Sequence, residues 1–249
     1  MPYEKAHAIT IRRADFSETS YVIAFYTREY GRLSALAKGA KRKYSKLIGH
    51  IDLFSYGQIV FASGWTRDRL HILSEACAFE TFPSLRDELP RYYAACHAAQ
   101  LLYAMTAVED RSPELFDEML GLLRRVEEGV DPALALFAFE ARLLVLTGFM
   151  PEVSRCVVSG EPVRGKQTTF SLRLGGVLSE ESAAGETDVI EKVPTGALAL
   201  LGRLAQGKLT RLDRVSISKS AAQALRSFLN EYETYVLSRP MRTAKHLSD

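Results

Sequence analysis

The chain has 249 residues, 47% of them hydrophobic, and a formal net charge of only +2. That is enough apolar chain to bury a sizeable core in one or two domains, while so small a net charge says little about partners. The three cysteines, Cys77, Cys96 and Cys156, are odd in number and widely spaced, which argues against a disulfide framework and fits a reducing compartment. The opening residues Met1-Pro-Tyr-Glu-Lys5 lack the apolar run of a signal peptide. The most apolar helical stretch, residues 133–146, carries Glu140 and Arg142 and is too short to span a bilayer. A cytoplasmic protein without membrane contact is expected.

The first third reads as strands. Residues 7–13, 20–27, 33–38, 54–62 and 70–78 are short runs rich in β-branched and aromatic residues. Turn signals separate them at Asp15-Phe-Ser-Glu18, Glu29-Tyr-Gly-Arg32 and Ser63-Gly64. Five strands without a long helix predict a small barrel or sandwich, interrupted at residues 39–49 by a basic loop.

After Phe82-Pro83 the texture becomes helical. In residues 91–107, Ala94, Ala98, Leu101, Leu102 and Met105 share one helical face. Ser112-Pro113 reads as an N-cap with Pro at N1, opening a helix to about Glu128 that Gly129 can stop; Asp131-Pro132 repeats the signal and Gly148 ends the next helix. Residues 156–185 hold five glycines and short strand-like pieces such as 168–174, predicting an irregular insert. Helical pattern returns at 195–205 and 220–237, stopping before Arg239-Pro240, and residues 241–249 read as a loose basic tail. The predicted class is α+β: a five-stranded barrel domain at 1–81, then a helical domain at 82–249 with the insert at about 154–190.

Charge is unevenly distributed. Residues 1–50 hold ten Lys/Arg against four Asp/Glu, residues 82–155 seven against twelve, and residues 200–249 nine against four. A basic head and tail around an acidic middle suggest a localised anion-binding surface; solvated faces of fluctuating charge are the competing reading. The sharpest feature is Lys38-Gly-Ala-Lys41-Arg42-Lys43-Tyr44-Ser-Lys46, with five cations and one aromatic in nine residues between strands. Such cations track phosphates, Gly39 and Ala40 let a backbone approach, and Tyr44 can stack on a base. Arg12 and Arg13 end a strand, so they point to opposite faces: one toward a groove, the other toward Asp15 or Glu18. Trp65, the sole tryptophan, precedes Arg67 and Arg69 and either stacks on bases or folds back onto the barrel.

Catalytic signatures are missing from the sequence. It has no Walker loop, no Gly-x-Ser-x-Gly and no His-Glu-x-x-His, and its five histidines are scattered. The acids near the predicted strands, Asp15, Glu18, Asp52 and Asp68, sit mostly in turns, where a two-metal nuclease site would not form. A binding protein without cofactor or small-molecule substrate is expected.

Several segments in order resemble the RecO family of recombination mediators: Ile11-Arg-Arg-Ala-Asp-Phe-Ser-Glu-Thr-Ser20, Phe25-Tyr-Thr-Arg-Glu-Tyr-Gly-Arg32, Leu36-Ala-Lys-Gly-Ala-Lys-Arg42, Phe82-Pro-Ser-Leu-Arg86, Phe139-Glu140, residues 143–148, Arg155-Cys-Val157 and Gly175-Gly-Val-Leu178. The resemblance implies an OB-fold barrel followed by a helical domain. It implies binding of single- and double-stranded DNA, strand annealing, and help in loading recombinase. It also implies two partners, RecR and the C-terminal tail of single-stranded-DNA-binding protein. It adds Arg28 and Arg32, beside the Tyr30-Gly31 turn, to the DNA-contact candidates. Arg239, Arg242 and Lys245 make a possible second basic patch. The partner tail is acidic and ends in an apolar residue, so its receptor needs an apolar pocket rimmed by cations; Leu122, Arg125 and Arg142 are candidates. An RNA-binding OB protein and a helical protein-interaction scaffold are the alternatives.

One departure stands out. Many RecO proteins carry a four-cysteine zinc site as two Cys-x-x-Cys pairs. Here the pairs read Cys156-Val-Val-Ser159 and Ser179-Glu-Glu-Ser182, so three thiolates are replaced by hydroxyls, which are poor zinc donors. No zinc is expected, with Cys156 a small packed or partly exposed thiol and the insert held by ordinary packing.

Overall fold

The computed structural model describes residues 2–63, 70–207, 212, 215 and 217–247. The chain divides into two compact units, Met1–Glu128 and Gly129–Asp249. None of the described helices is long and apolar enough to cross a membrane.

The first unit opens with a closed barrel of five strands: β1 (Tyr3–Asp15), β2 (Tyr21–Thr27), β3 (Gly31–Ala37), β4 (Tyr56–Ala62) and β5 (Leu70–Glu80), in the order β1-β2-β3-β5-β4. β1 is long enough to serve two edges. Its first half pairs with β4, Tyr3 opposite Ala62, and its second half with β2, Asp15 opposite Tyr21. A bulge between Thr10 and Arg12 bends it from one partner to the other, as closure requires. β3 and β5 close the barrel as a parallel pair, Ser34 opposite Leu70. This is the OB architecture. Alternation is clean in β3, where every second residue is buried. Ala6, Ala8, Ile23, Phe25, Leu33, Ile59, Phe61 and Leu73 fill the interior.

The Tyr30-Gly31 turn is closed by Thr27, whose hydroxyl donates to the Gly31 carbonyl at 2.9 Å and accepts from the Tyr30 amide at 3.1 Å. Gly31 adopts φ +68°, and a Cβ there would stand 1.9 Å from the Asp110 carbonyl oxygen. Only glycine fits both demands.

Three helices complete this unit: α1 (Ser84–Asp87), α2 (Leu89–Met105) and α3 (Pro113–Glu127). The expected cap of α3 is present, with the Ser112 hydroxyl accepting from the Leu115 amide at 3.3 Å. Leu115, Phe116, Met119, Leu122, Leu123 and Val126 recur at helical spacing and are buried.

The second unit holds α4 (Pro132–Leu146), α5 (Glu180–Ala183), α6 (Thr195–Ala205) and α7 (Lys219–Leu237), with β6 (Gln167–Ser171), β7 (Gly176–Leu178) and β8 (Val189–Pro194). Asp131 caps α4 by accepting from the Leu134 amide at 2.8 Å. α4 is buried on nearly every face, and its one buried acid, Glu140, bonds Arg226 of α7. The insert is more regular than its sequence suggests. β7-β6-β8 is an antiparallel sheet, and Phe170 at its centre meets Phe228 and Tyr232 of α7 with ring centroids 4.9 Å and 5.6 Å away. A glycine-rich run shows no period; a distant aromatic pair supplies the order. The expected loose tail is also partly ordered: Met241 is buried and Ala244–His246 forms a 3-10 turn.

Candidate nucleic-acid interface

The basic loop runs from the end of β3 to the start of β4 and is anchored rather than free. Ala40, Leu47 and Ile51 insert into the barrel core beside Phe25 and Phe61. Successive turns, Arg42 N–H to Gly39 O at 3.1 Å and Ser45 N–H to Arg42 O at 2.9 Å, tighten the chain between those anchors. With apolar residues pulled inward, Lys38, Arg42, Lys43 and Lys46 are all exposed, and Tyr44 is 89% exposed. Among the described residues, these four cations take part in no ion pair. Burial of Ala40 corrects one expectation: its backbone is not open to a phosphate.

Lys41 differs from its neighbours. Its ammonium donates to the Ser17 carbonyl at 2.9 Å, lies 2.5 Å from the Asp15 carboxylate, and sits 4.8 Å from the Tyr21 ring centroid. It pins the loop to the β1–β2 turn. Arg13 approaches the same ring at 4.9 Å and donates to Asp52 at 2.8 Å, so its partner is Asp52 rather than Asp15 or Glu18. Asp52 lies on the far end of the loop, which only barrel closure brings beside β1.

The other arginines hold the unit together. Arg12 and Arg32 both face Tyr103 of α2, at 5.4 Å and 4.2 Å, and Arg32 donates two hydrogen bonds to the Thr106 carbonyl, at 2.9 Å and 3.2 Å. Arg28 pairs with Asp117 of α3. Trp65 lies outside the described residues. Tyr21, Asp52 and Tyr103 join the site without a marker of their own in the sequence. The register that sets Asp15 opposite Tyr21 brings the first of them to the site.

In the second unit, the two x-x pairs converge. The Cys156 thiol donates to Ser182 Oγ at 3.5 Å, Ser179 Oγ is 3.8 Å away, and the Ser159 amide donates to the sulfur at 3.4 Å. Ser179 Oγ in turn donates to Ser182 Oγ at 2.9 Å. Burial is the largest single influence on the Cys156 thiol and opposes its ionisation. Hydrogen bonds from the hydroxyl and amide of Ser159, the Ser182 hydroxyl and the Ser179 backbone outweigh it and bring the thiol down to about 5.

Comparison with known proteins covers nearly the whole chain. The family model described as "Recombination protein O N terminal" matches residues 1–82, and "Recombination protein O C terminal" matches residues 86–245. The chain belongs to the RecO family. It is 30% identical over 245 residues to the DNA repair protein RecO of Roseiflexus sp. (strain RS-1), covering 98% of this chain and 85% of that one. The Pelotomaculum thermopropionicum protein of the same name is 30% identical over 243 residues, covering 98% and 93%. That of Desulfitobacterium hafniense is 31% identical over 212 residues, covering 84% and 76%.

Within this RecO family member the zinc that the family resemblance implies is a poor fit. One thiol and three neutral hydroxyls do not make the donor set zinc selects. The hydroxyls are already bonded to one another and to the sulfur. The insert is therefore held by a polar cluster as well as by packing.

The partner-pocket candidates separate. Leu122 is 0% exposed, part of the α3 core, and offers no surface to a peptide. Arg125 is half-buried on the same helix. Arg142 belongs to the second unit, where it donates to the Ala205 carbonyl at 2.9 Å, satisfying the C-terminal end of α6. Arg239 and Arg242 are exposed beyond α7, and Lys245 lies on the 3-10 turn that follows.

Proposed function

We propose that this DNA repair protein of the RecO family binds single- and double-stranded DNA through its barrel, residues 1–81, and anneals complementary strands without enzymatic chemistry. One observation carries the reading. Lys38, Arg42, Lys43 and Lys46 project from a loop whose apolar residues are locked in the barrel core. Such fixed cations beside an exposed tyrosine form a phosphate track with a base platform, and they cost little to organise when a strand arrives. Annealing requires two polyanions to be screened from each other, a task suited to such a track together with the Arg239, Arg242 and Lys245 patch. Loading of recombinase, partnership with RecR, engagement of the single-stranded-DNA-binding protein tail, and residence at the nucleoid extend the reading from the family.

The test is annealing of complementary oligonucleotides coated with single-stranded-DNA-binding protein. Acceleration over the protein-free rate is expected. Replacement of Lys38, Arg42, Lys43 and Lys46 by Ala should weaken binding for every sequence. It should also reduce the salt slope by roughly 0.7 for each single-strand phosphate no longer neutralised. No acceleration, with no binding at low salt, would refute the proposal.

A further inference from the structure

The first unit contains a cavity of about 300 Å³ beside the cationic loop, at the small end of ligand pockets. Tyr92, 36% exposed, contributes the aromatic surface open to it; Phe54 and Phe82 lie buried behind, with Phe54 edge to face against Tyr92 at 5.9 Å. The rim is charged. Asp52 accepts from Arg13 at 2.8 Å and from Arg86 at 3.3 Å, leaving two cations for one anion. All three are partly exposed and can exchange partners with an incoming group.

Two further features set the cavity apart. Phe54 and Phe82 hold φ values of +68° and +47°, a left-handed conformation unfavourable for a bulky residue. Glycine would relax either turn; two phenylalanines at such sites gather strain where ligand clamps commonly keep it. Secondly, the cavity connects with the loop. Lys41 and Arg13 each lie within 5 Å of the Tyr21 ring centroid, so the two cations are under 10 Å apart. A strand lying along the loop therefore passes the cavity mouth where Lys41 pins the loop down.

We infer that this cavity receives one unstacked nucleobase of a single strand, with Arg13 and Arg86 on the flanking phosphate and Asp52 on the base edge. The inference rests on the DNA-binding reading above. A base supplies a flat apolar face for the exposed Tyr92 ring and N–H donors for the carboxylate; its phosphate supplies the anion that the rim's excess positive charge accepts.

A labelled single strand and the same strand carrying abasic sites test this by fluorescence anisotropy across a salt series. The intact strand should bind about tenfold more tightly than the abasic one, with the same salt slope, because base and phosphate contributions separate. Thr81→Trp, an exposed position on the cavity lining, should fill the mouth and bring the intact strand down to the abasic level, with its melting temperature unchanged. Arg86→Gln should reduce the preference without blocking entry. Equal affinity of both strands for the native protein overturns the pocket while leaving the phosphate track standing. A full base preference in Thr81→Trp overturns it too, since the base would then sit elsewhere, as on Tyr44. Failure of either strand to bind at low salt sinks the pocket and the DNA-binding reading together.

Discussion

Cys156 and Ser182, 26 residues apart, meet with sulfur and hydroxyl oxygen 3.5 Å apart. Zinc bound by four sulfurs at about 2.3 Å sets them about 3.8 Å from each other. The Cys156–Ser182 and Cys156–Ser179 separations of 3.5 Å and 3.8 Å are close to that spacing, while the Ser179 and Ser182 hydroxyls sit closer, at hydrogen-bond distance of 2.9 Å. The purified protein should contain no stoichiometric zinc by elemental analysis, and a chelator should leave its melting temperature unchanged. Ser159→Cys with Ser179→Cys and Ser182→Cys should take up about one zinc per chain and become chelator-sensitive. Stoichiometric zinc in the native protein would refute this.

The same thiol gives a pH dependence. Its value is depressed to about 5 in the folded chain from an ordinary value of 9.0. A depressed group stabilises fully above its unfolded value, and that contribution is lost as pH falls through the folded one. Stability of the second unit should therefore rise between about pH 5 and pH 9. Cys156→Ser, which keeps hydrogen bonding but does not ionise in this range, should flatten that rise in thermal melts. Parallel curves for the two proteins would count against it.

Arg32 and Lys43 should behave oppositely. Arg32 ties β3 to the end of α2 through the Thr106 carbonyl, so Arg32→Ala should lower the denaturation midpoint, a loss of about 1–2 kcal/mol of stability. Lys43 is exposed and makes no ion pair among the described residues, so Lys43→Ala should leave stability within about 0.5 kcal/mol and weaken DNA binding alone. Urea unfolding read beside a binding isotherm separates the two.

Glu140 and Arg226 form a buried pair, 0% and 7% exposed in their side chains, with the guanidinium 5.0 Å from the Phe137 ring. Buried Glu233 of α7 has a carboxylate oxygen within 4.8 Å of one of Glu140, so the guanidinium also offsets a like-charge contact in a low-dielectric interior. Arg226→Ala should cost about 3–5 kcal/mol. Denaturant titration of the native and variant proteins checks the loss.

Gly31→Ala should destabilise the first unit by at least about 1 kcal/mol, because its φ of +68° is strained for alanine and the new Cβ meets the Asp110 carbonyl. A protein of unchanged stability would mean that this turn relaxes freely.

The chain order of strands and helices was legible in the sequence because it rests on local signals. Short runs rich in β-branched and aromatic residues mark the five strands, and Ser112-Pro113 and Asp131-Pro132 mark two helix starts. The cationic character of the β3–β4 loop and the substitution of three zinc-ligand positions were equally plain. These are properties of residue type and spacing.

Tertiary structure decided what those residues do. Whether a cation is free or tied depends on partners far away in sequence: Asp52 for Arg13, Tyr103 for Arg12 and Arg32, Asp117 for Arg28. Barrel closure supplied the first of these, and helix docking the others. It likewise sent Ala40, Leu47 and Ile51 inward, turning a basic segment into a fixed display of Lys38, Arg42, Lys43 and Lys46. The insert gained its order from Phe170 meeting α7, and its serines became a bonded cluster only when residues 156 and 182 were brought together. Sequence determined the elements and the charge because those are local, whereas the free cations, the aromatic cavity and the polar cluster arise only from long-range contacts.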